Sequence, residues 1–354
     1  VHHICCDEDI PFCDIHDGSF PDKEICRRCT MLQNGFFSTF KLNYDFLNKY
    51  LNKVNYADAK QFAENVPDDD LLGFKYKGKP LGLWIRSSVF TYFRINKIDL
   101  SNKQVNKRFR QYLMSGILIF EAFHKILEIY DPEVLFMFNG RFFTFRIPFE
   151  LAKAKQIRVI VHDRGFKDSS LMIKENEVMQ GTKTLSRLWQ KEKEKPLSKE
   201  QIEKTADYIL QREHGKNTGW FGWQKSRQDI SNVLKILKTG KKDKIISFFT
   251  SSDDEMAAFK EWKSIISTQE EWIAKIIDFL RSNPDVKGII RVHPNTGKTK
   301  GNFKENRQFL DFLHAAIDTS LPNLEIIYPD DEVNSYQIIE ISDAVAVYFS
   351  TVAV

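Results

Sequence analysis

KGIIRVHPN (287–295) and LEIIYPDDEVNSYQIIEISDAVAVYFST (324–351) decide the fold of this chain. Gly288 to Val292 is a short apolar run that stops at His293-Pro294-Asn295. Leu324 to Tyr328 is a second, stopping at Pro329-Asp330-Asp331, and Ala344 to Phe349 a third, stopping at Ser350-Thr351. Each run is too short and too uniformly apolar for an amphipathic helix and fits a strand buried on both faces. Helical patterns lie between them, at Phe303–Ile317 and Val333–Ile341, the latter with Asn334 or Ser335 as N-cap. Strands alternating with helices predict a parallel, doubly wound sheet, and such sheets bind ligands at the carboxyl ends of their strands. His293, Asn295, Asp330, Ser350 and Thr351 all fall at those ends.

Working outward, Lys244 to Phe249 reads as the first strand of this half, ending in Thr250-Ser251-Ser252-Asp253-Asp254, whose hydroxyls and amides suit a phosphate. Val134 to Phe138 reads as a buried strand running into Asn139-Gly140-Arg141. A helix then spans Phe142 to Ala154, and a further strand, Ile157 to Val161, runs into His162-Asp163-Arg164-Gly165. That is a second strand–helix–strand unit with polar loops. Asn139 and Asp163 also suit plain capping or turn roles.

Asn102 to Tyr130 is the longest helical pattern, with Phe109, Leu113, Ile117, Phe120, Phe123 and Leu127 as a core-facing stripe. Phe37 to Val66 reads as helical, Leu81 to Thr91 as strand or helix, Val1 to Cys5 as a strand, and Ser198 as an N-cap. Residues 191–199 form a charged connector. Trp220 and Trp223 sit in a Gly-rich stretch suited to core packing or to stacking on a ligand. A division near residue 225 gives domains 1–225 and 226–354.

The 354 residues suit two domains. A net charge of +4, with acidic and basic residues interleaved, does not call for nucleic acid. No apolar run reaches the roughly 18 residues that span a bilayer. The chain begins at Val1 without Met, in what looks like a strand, so both termini read as interior to a longer protein.

All five cysteines fall in the first thirty residues. Cys6, Cys13, Cys26 and Cys29 are the candidate ligands of a structural Zn²⁺, since a two-residue gap lets neighbouring amides aim two sulfurs at one metal; His16 or His3 could replace one of them. Reduced thiols and disulfides remain alternatives. Neither a G-x-G-x-x-G nor a complete phosphate-loop pattern is present, which disfavours NAD and flavin.

The ordered set H293-P-N, then D330-x-x-x-x-S-Y-x-x-I-x-x-S-D343, then V347-x-x-S-T351 resembles the C-terminal half of bacterial GT-B-fold glycosyltransferases of the capsule-polysaccharide biosynthesis type. The resemblance covers Lys244 to Val354 and, more weakly, Val134 to Gly165. It implies two Rossmann-like domains facing across a cleft, with a Cys-rich N-terminal segment. It also implies a nucleotide-sugar donor on the C-terminal half and a glycan acceptor on the other. His293, Arg291, Asn295, Ser251, Asn334, Ser335, Tyr336, Ser350 and Thr351 would serve the donor; Asn139, Arg141, His162 and Arg164 would line the acceptor side. Asp163 is the expected general base, with Asp7 and Glu8 as rivals. In the family the Ser-Thr turn leads into a helix with an acidic residue, whereas this chain stops at Val354. Such an enzyme works in the cytoplasm, at times at the inner face of the membrane. A nucleotide-sugar 2-epimerase, a polyol-phosphate transferase and a non-catalytic zinc module are the alternatives.

Overall fold

A computed structural model describes residues 1–15, 22–165, 169–214, 216, 225–240, 243–262, 265–297, 307–316 and 321–349. The chain divides into two compact units: Val1–Asp163 with Met172–Thr184, and Arg164–Leu171 with Leu185–Val354. The second begins well before residue 225. Helix α8 (Lys199–Glu213) belongs to it, because Glu213 pairs with Arg227 at 2.9 Å and its carbonyl accepts from the Asn334 side chain.

The second unit holds strands β6 (Lys244–Phe249), β7 (Val286–Arg291), β8 (Leu324–Ile327) and β9 (Ala344–Val347) in one sheet, ordered β8-β7-β6-β9, with every neighbouring pair parallel. In order of appearance this is 3-2-1-4, the doubly wound arrangement, whose direction of winding reverses between its first and fourth strands. Alternation along the strands feeds two cores. Phe248, Ile290 and Val292 pack under α10 (Gln269–Ser282) and α11 (Arg307–Ala316). Ile245, Phe249, Ile289 and Ile327 pack with Val233 and Leu237 beside α9 (Ile230–Ile236), and with Ile338 of α12 (Ser335–Glu340). Helix α10 lies so close to β7 that a Cβ on Gly288 would stand 2.4 Å from Leu280 Cδ1. The expectation of burial on both faces holds for the central strands β6 and β7. The edge strand β8 is half-buried, and on the other edge strand, β9, Ala344 and Val345 are exposed, so the expected burial on both faces fails at the edges.

The first unit is built around α5 (Lys103–Tyr130), which packs against α2 (Lys53–Asn65), α4 (Leu81–Phe93) and α6 (Phe143–Ala154) and touches α3 (Asp68–Leu71). Phe109, Leu113, Ile117, Phe120 and Leu127 are buried as the stripe requires. Leu81 to Phe93 is helical, which resolves the mixed pattern there. The continuous helix expected over 37–66 is interrupted. Helix α1 (Asp22–Phe40) ends, β2 (Tyr44–Phe46) pairs in parallel with β1 (His3–Cys5), a 3-10 turn follows, and Asn52 restarts the chain as α2 with a capping box. Asp45 holds the interruption in place: its carboxylate accepts from Tyr50, Tyr130 and Lys49.

β3 (Val134–Phe138), α6 and β4 (Arg158–Arg164) form the second strand–helix–strand unit, with β3 and β4 parallel. Strand β3 is not buried on both faces as expected: Val134, Phe136 and Phe138 are exposed, and the Phe136 ring stacks on His162 at 4.7 Å. Nor does the chain leave the sheet at His162. β4 runs on to Arg164, and β5 (Leu171–Glu175) returns beside it, with Gly165 N on Ser170 O and Asn176 N on Val159 O. Across both units, among the described residues, no helix is long and apolar enough to cross a membrane.

Candidate functional site

The site lies at the carboxyl ends of β6 and β7, next to the point where the sheet of the second unit reverses its winding. β6 delivers Thr250, Ser251 and Ser252, and β7 delivers His293 and Asn295. Thr250 is buried, and its Oγ1 accepts from His293 N at 2.8 Å, locking the two strand-end turns together. Pro294 opens a 3-10 turn whose N-cap is His293. Its Nδ1 accepts from Asn295 N at 3.1 Å, so the proton of the neutral ring resides on Nε2 as a donor. Asn295 Nδ2 donates to Ser252 Oγ at 3.1 Å, and Ser252 Oγ donates to Asp254 Oδ1 at 2.8 Å.

Ser251 completes the junction. Its amide donates to Gln269 Oε1 at 2.6 Å, and its hydroxyl donates to Phe349 O at 3.2 Å. Phe349, just past β9, has φ of 48°. A bulky residue in the left-handed region is strained by about 1–3 kcal/mol, and such strain concentrates at binding sites. The Ser251, His293 and Asn295 amides and the Ser251 and Ser252 hydroxyls all donate within the protein, so they fix the shape of a junction at the strand ends where doubly wound sheets bind ligands.

The other expected donor-side residues have separate fates. Arg291 is buried and turned to the α9/α12 face. It donates to Tyr328 O at 2.5 Å, and burial pushes its pKa down to about 10 against the pull of Asp331 and Glu332. It braces the β8 turn rather than the junction. Asn334 is the N-cap of α12: Oδ1 accepts from Tyr336 N and Gln337 N, while Nδ2 donates to Lys225 O and Glu213 O. Those bonds use the whole amide, so it has nothing left for a ligand. Ser335 is buried, and Tyr336 lies with Arg212 over its ring at 5.8 Å. Ser350, Thr351, Trp220, Trp223 and His16 lie outside the described residues.

In the first unit, Asn139 and Asp163 meet. Asn139 adopts φ of 52°, Gly140 follows at 74°, and the two turn the chain sharply after β3. Asn139 Nδ2 donates to Asp163 Oδ2 at 2.5 Å, while its backbone bonds to His162 O and Met179 N. Arg141 turns away to Thr91 Oγ1 at 3.0 Å and is buried. His162 lies on Phe136 along the strand, and Arg164 ends the same strand, exposed. Asp7 and Glu8 are exposed near the N-terminus, Asp7 within reach of Thr30.

Asp14 was not singled out by sequence. Thr144 Oγ1 donates to its Oδ2 at 2.8 Å, and its Oδ1 is buried with no hydrogen-bond partner. Burial pushes its pKa up to about 6, with Ser88, Thr144 and Arg141 opposing. No local pattern could have marked it, since its neighbours come from α4 and α6. Gln269 was equally hidden: it serves Ser251 from the first turn of α10.

Cys26 and Cys29 stand one turn apart on α1, so their spacing is helical rather than that of a metal knuckle. Gln33 Nε2 donates to Cys29 Sγ at 3.1 Å and to Cys6 O at 3.3 Å. Burial raises the pKa of the Cys5 thiol to about 11 and that of Cys6 as well. Cys6, Cys13, Cys26 and Cys29 form no disulfide among the described residues, and no group there of three or more His, Cys, Asp or Glu is placed to hold a metal. Compared with known proteins, the chain matches no family model and no curated sequence.

Proposed function

We propose that the second unit binds a nucleotide sugar and that the protein transfers its sugar to a glycan acceptor. The observation that carries this reading is the 3-2-1-4 parallel sheet with Thr250, Ser251, Ser252, His293 and Asn295 gathered at the carboxyl ends of β6 and β7, beside its reversal point. In this reading His293 Nε2 donates to the donor's diphosphate, which lies beside the Ser251–Ser252 turn. Charge builds on that diphosphate as the bond from the anomeric carbon to its phosphate oxygen breaks. The acceptor oxygen bonds to the anomeric carbon, and its proton passes to a carboxylate. Asp163, oriented by Asn139 at 2.5 Å, is assigned that role. The finer expectations belong to the same proposal: GT-B halves facing across a cleft, a capsular-type glycan, and a cytoplasmic site of action.

A thermal-shift panel of UDP, GDP, CMP and dTDP sugars tests the donor half. At a hundredfold excess over Kd, a ligand specific to the folded state adds about 2.7 kcal/mol, a rise in Tm of roughly 5–10 °C. One nucleotide series should give this rise and His293→Ala should lose it. No rise with any series refutes the assignment.

A further inference from the structure

Helix α7 (Lys183–Glu192) has no buried residue, and neither does α8 after it. Yet α7 carries Leu185, Leu188 and Trp189, which are 49%, 49% and 65% exposed. At 3.6 residues per turn these three fall within an arc of about 100°, and Lys183, Arg187 and Lys191 fall on the opposite arc, about 80° wide. The stretch 183–199 holds six basic residues, the three just named with Lys193, Lys195 and Lys199, against Glu192 and Glu194, a balance of +4. Glu192 falls within the apolar arc, in the last turn of the helix, and its charge is paired with Lys195 at 2.7 Å. Leu197, 62% exposed, extends the apolar surface beyond the helix.

A ten-residue helix is marginal in water on its own, and exposing a tryptophan and two leucines on one side costs it further. The pattern matches helices that lie in a lipid headgroup layer, where Leu and Trp enter the acyl boundary and Lys and Arg meet anionic phosphates. A second copy of the chain fits this face poorly, since it would bring one balance of +4 against another.

We propose that α7 is an interfacial anchor for an anionic phospholipid surface, with Leu185, Leu188 and Trp189 inserted and Lys183, Arg187 and Lys191 held among the headgroups. Residues from Lys193 to Lys199 add long-range attraction. This assignment stands apart from the glycosyl-transfer reading, because it uses none of the residues at the strand-end junction.

Co-sedimentation of the whole chain with vesicles tests it, comparing pure phosphatidylcholine with a mixture containing about one third phosphatidylglycerol. The protein should pellet with the anionic vesicles alone. Raising salt to about 1 M, where the Debye length is near 3 Å, should release it. Leu188→Ser/Trp189→Ser should abolish the binding. Lys183→Gln/Arg187→Gln/Lys191→Gln should weaken it about a hundredfold, at roughly fivefold per charge. Both variants change exposed side chains, so Tm should stay at the wild-type value and any nucleotide response should be retained. The assignment is overturned if anionic vesicles fail to bind the wild type or bind the Leu188/Trp189 variant equally well. A soluble dimer that depends on Trp189 in the absence of lipid overturns it too.

Discussion

Thr250→Val isolates the bond that locks the two turns of the candidate site. Thr250 is 1% exposed, and its hydroxyl accepts from His293 N at 2.8 Å, while its own amide donates to Arg291 O at 3.1 Å. Valine keeps the shape and the backbone bond and removes one acceptor. Leaving a buried amide without an acceptor costs about 1–3 kcal/mol; since His293 is half-buried, the lower part of that range applies, about 1–2 kcal/mol. The turn at His293 should therefore open roughly 5- to 30-fold more often. Amide hydrogen exchange read at His293 measures this directly, through the local opening equilibrium. Thr250→Ser retains the oxygen and should leave His293 protection near wild type, although loss of the methyl lowers global stability by about 0.5–1.5 kcal/mol. Equal His293 exchange in Thr250→Val and wild type would refute the claim that this hydroxyl holds the site together.

Asp14 should leave a pH signature. Its usual pKa of 3.8 is pushed up to about 6 by burial, so ionising it costs the folded state more than the unfolded one. That cost is absent below about pH 4, grows between pH 4 and 6, and reaches at most about 3 kcal/mol above pH 6, at 1.36 kcal/mol per pH unit. Asp14→Asn should gain stability relative to wild type across that window in urea unfolding; parallel pH profiles for the two proteins would remove the argument. Gly288→Ala should destabilise by about 1–3 kcal/mol through overpacking against Leu280. Combined with Leu280→Ala, the loss should fall short of the summed single effects, whereas strict additivity in denaturant titrations would contradict the close approach.

The second unit was legible in sequence because its signals are local. Short apolar runs ending at His293, Asp330 and Ser350 mark strand ends, and Asn334 before a periodic segment marks a cap; the structure shows that cap directly. The α5 stripe is local in the same way. What escaped depends on partners far away in the chain. Tyr44–Phe46 is a strand only because His3–Cys5 lies beside it, and its residues fit a helical period equally well. His162 to Arg164 look like a polar loop, yet they continue β4 because Leu171–Glu175 returns to pair with them. Arg291 stands at a strand end where sequence suggests a ligand contact. Its side-chain parity instead turns it into the opposite core, which only the register of the sheet decides. Asp14 and Gln269 acquire their settings from elements more than fifteen residues away.

The seat of α10 on Gly288 works as a lever. Near one end, Leu280 rests on a strand position with no side chain; at the other, Gln269 grips the Ser251 amide. Eleven residues of helix, about 16 Å at 1.5 Å per residue, join the two as a stiff rod. A methyl group added under the far end presses on the Leu280 side chain, and what that side chain does not take up tilts the rod towards the Ser251 turn. The shape of the Ser251 turn is thus written partly at a glycine one helix-length away, and a substitution there should be felt at Ser251 as well as in global stability.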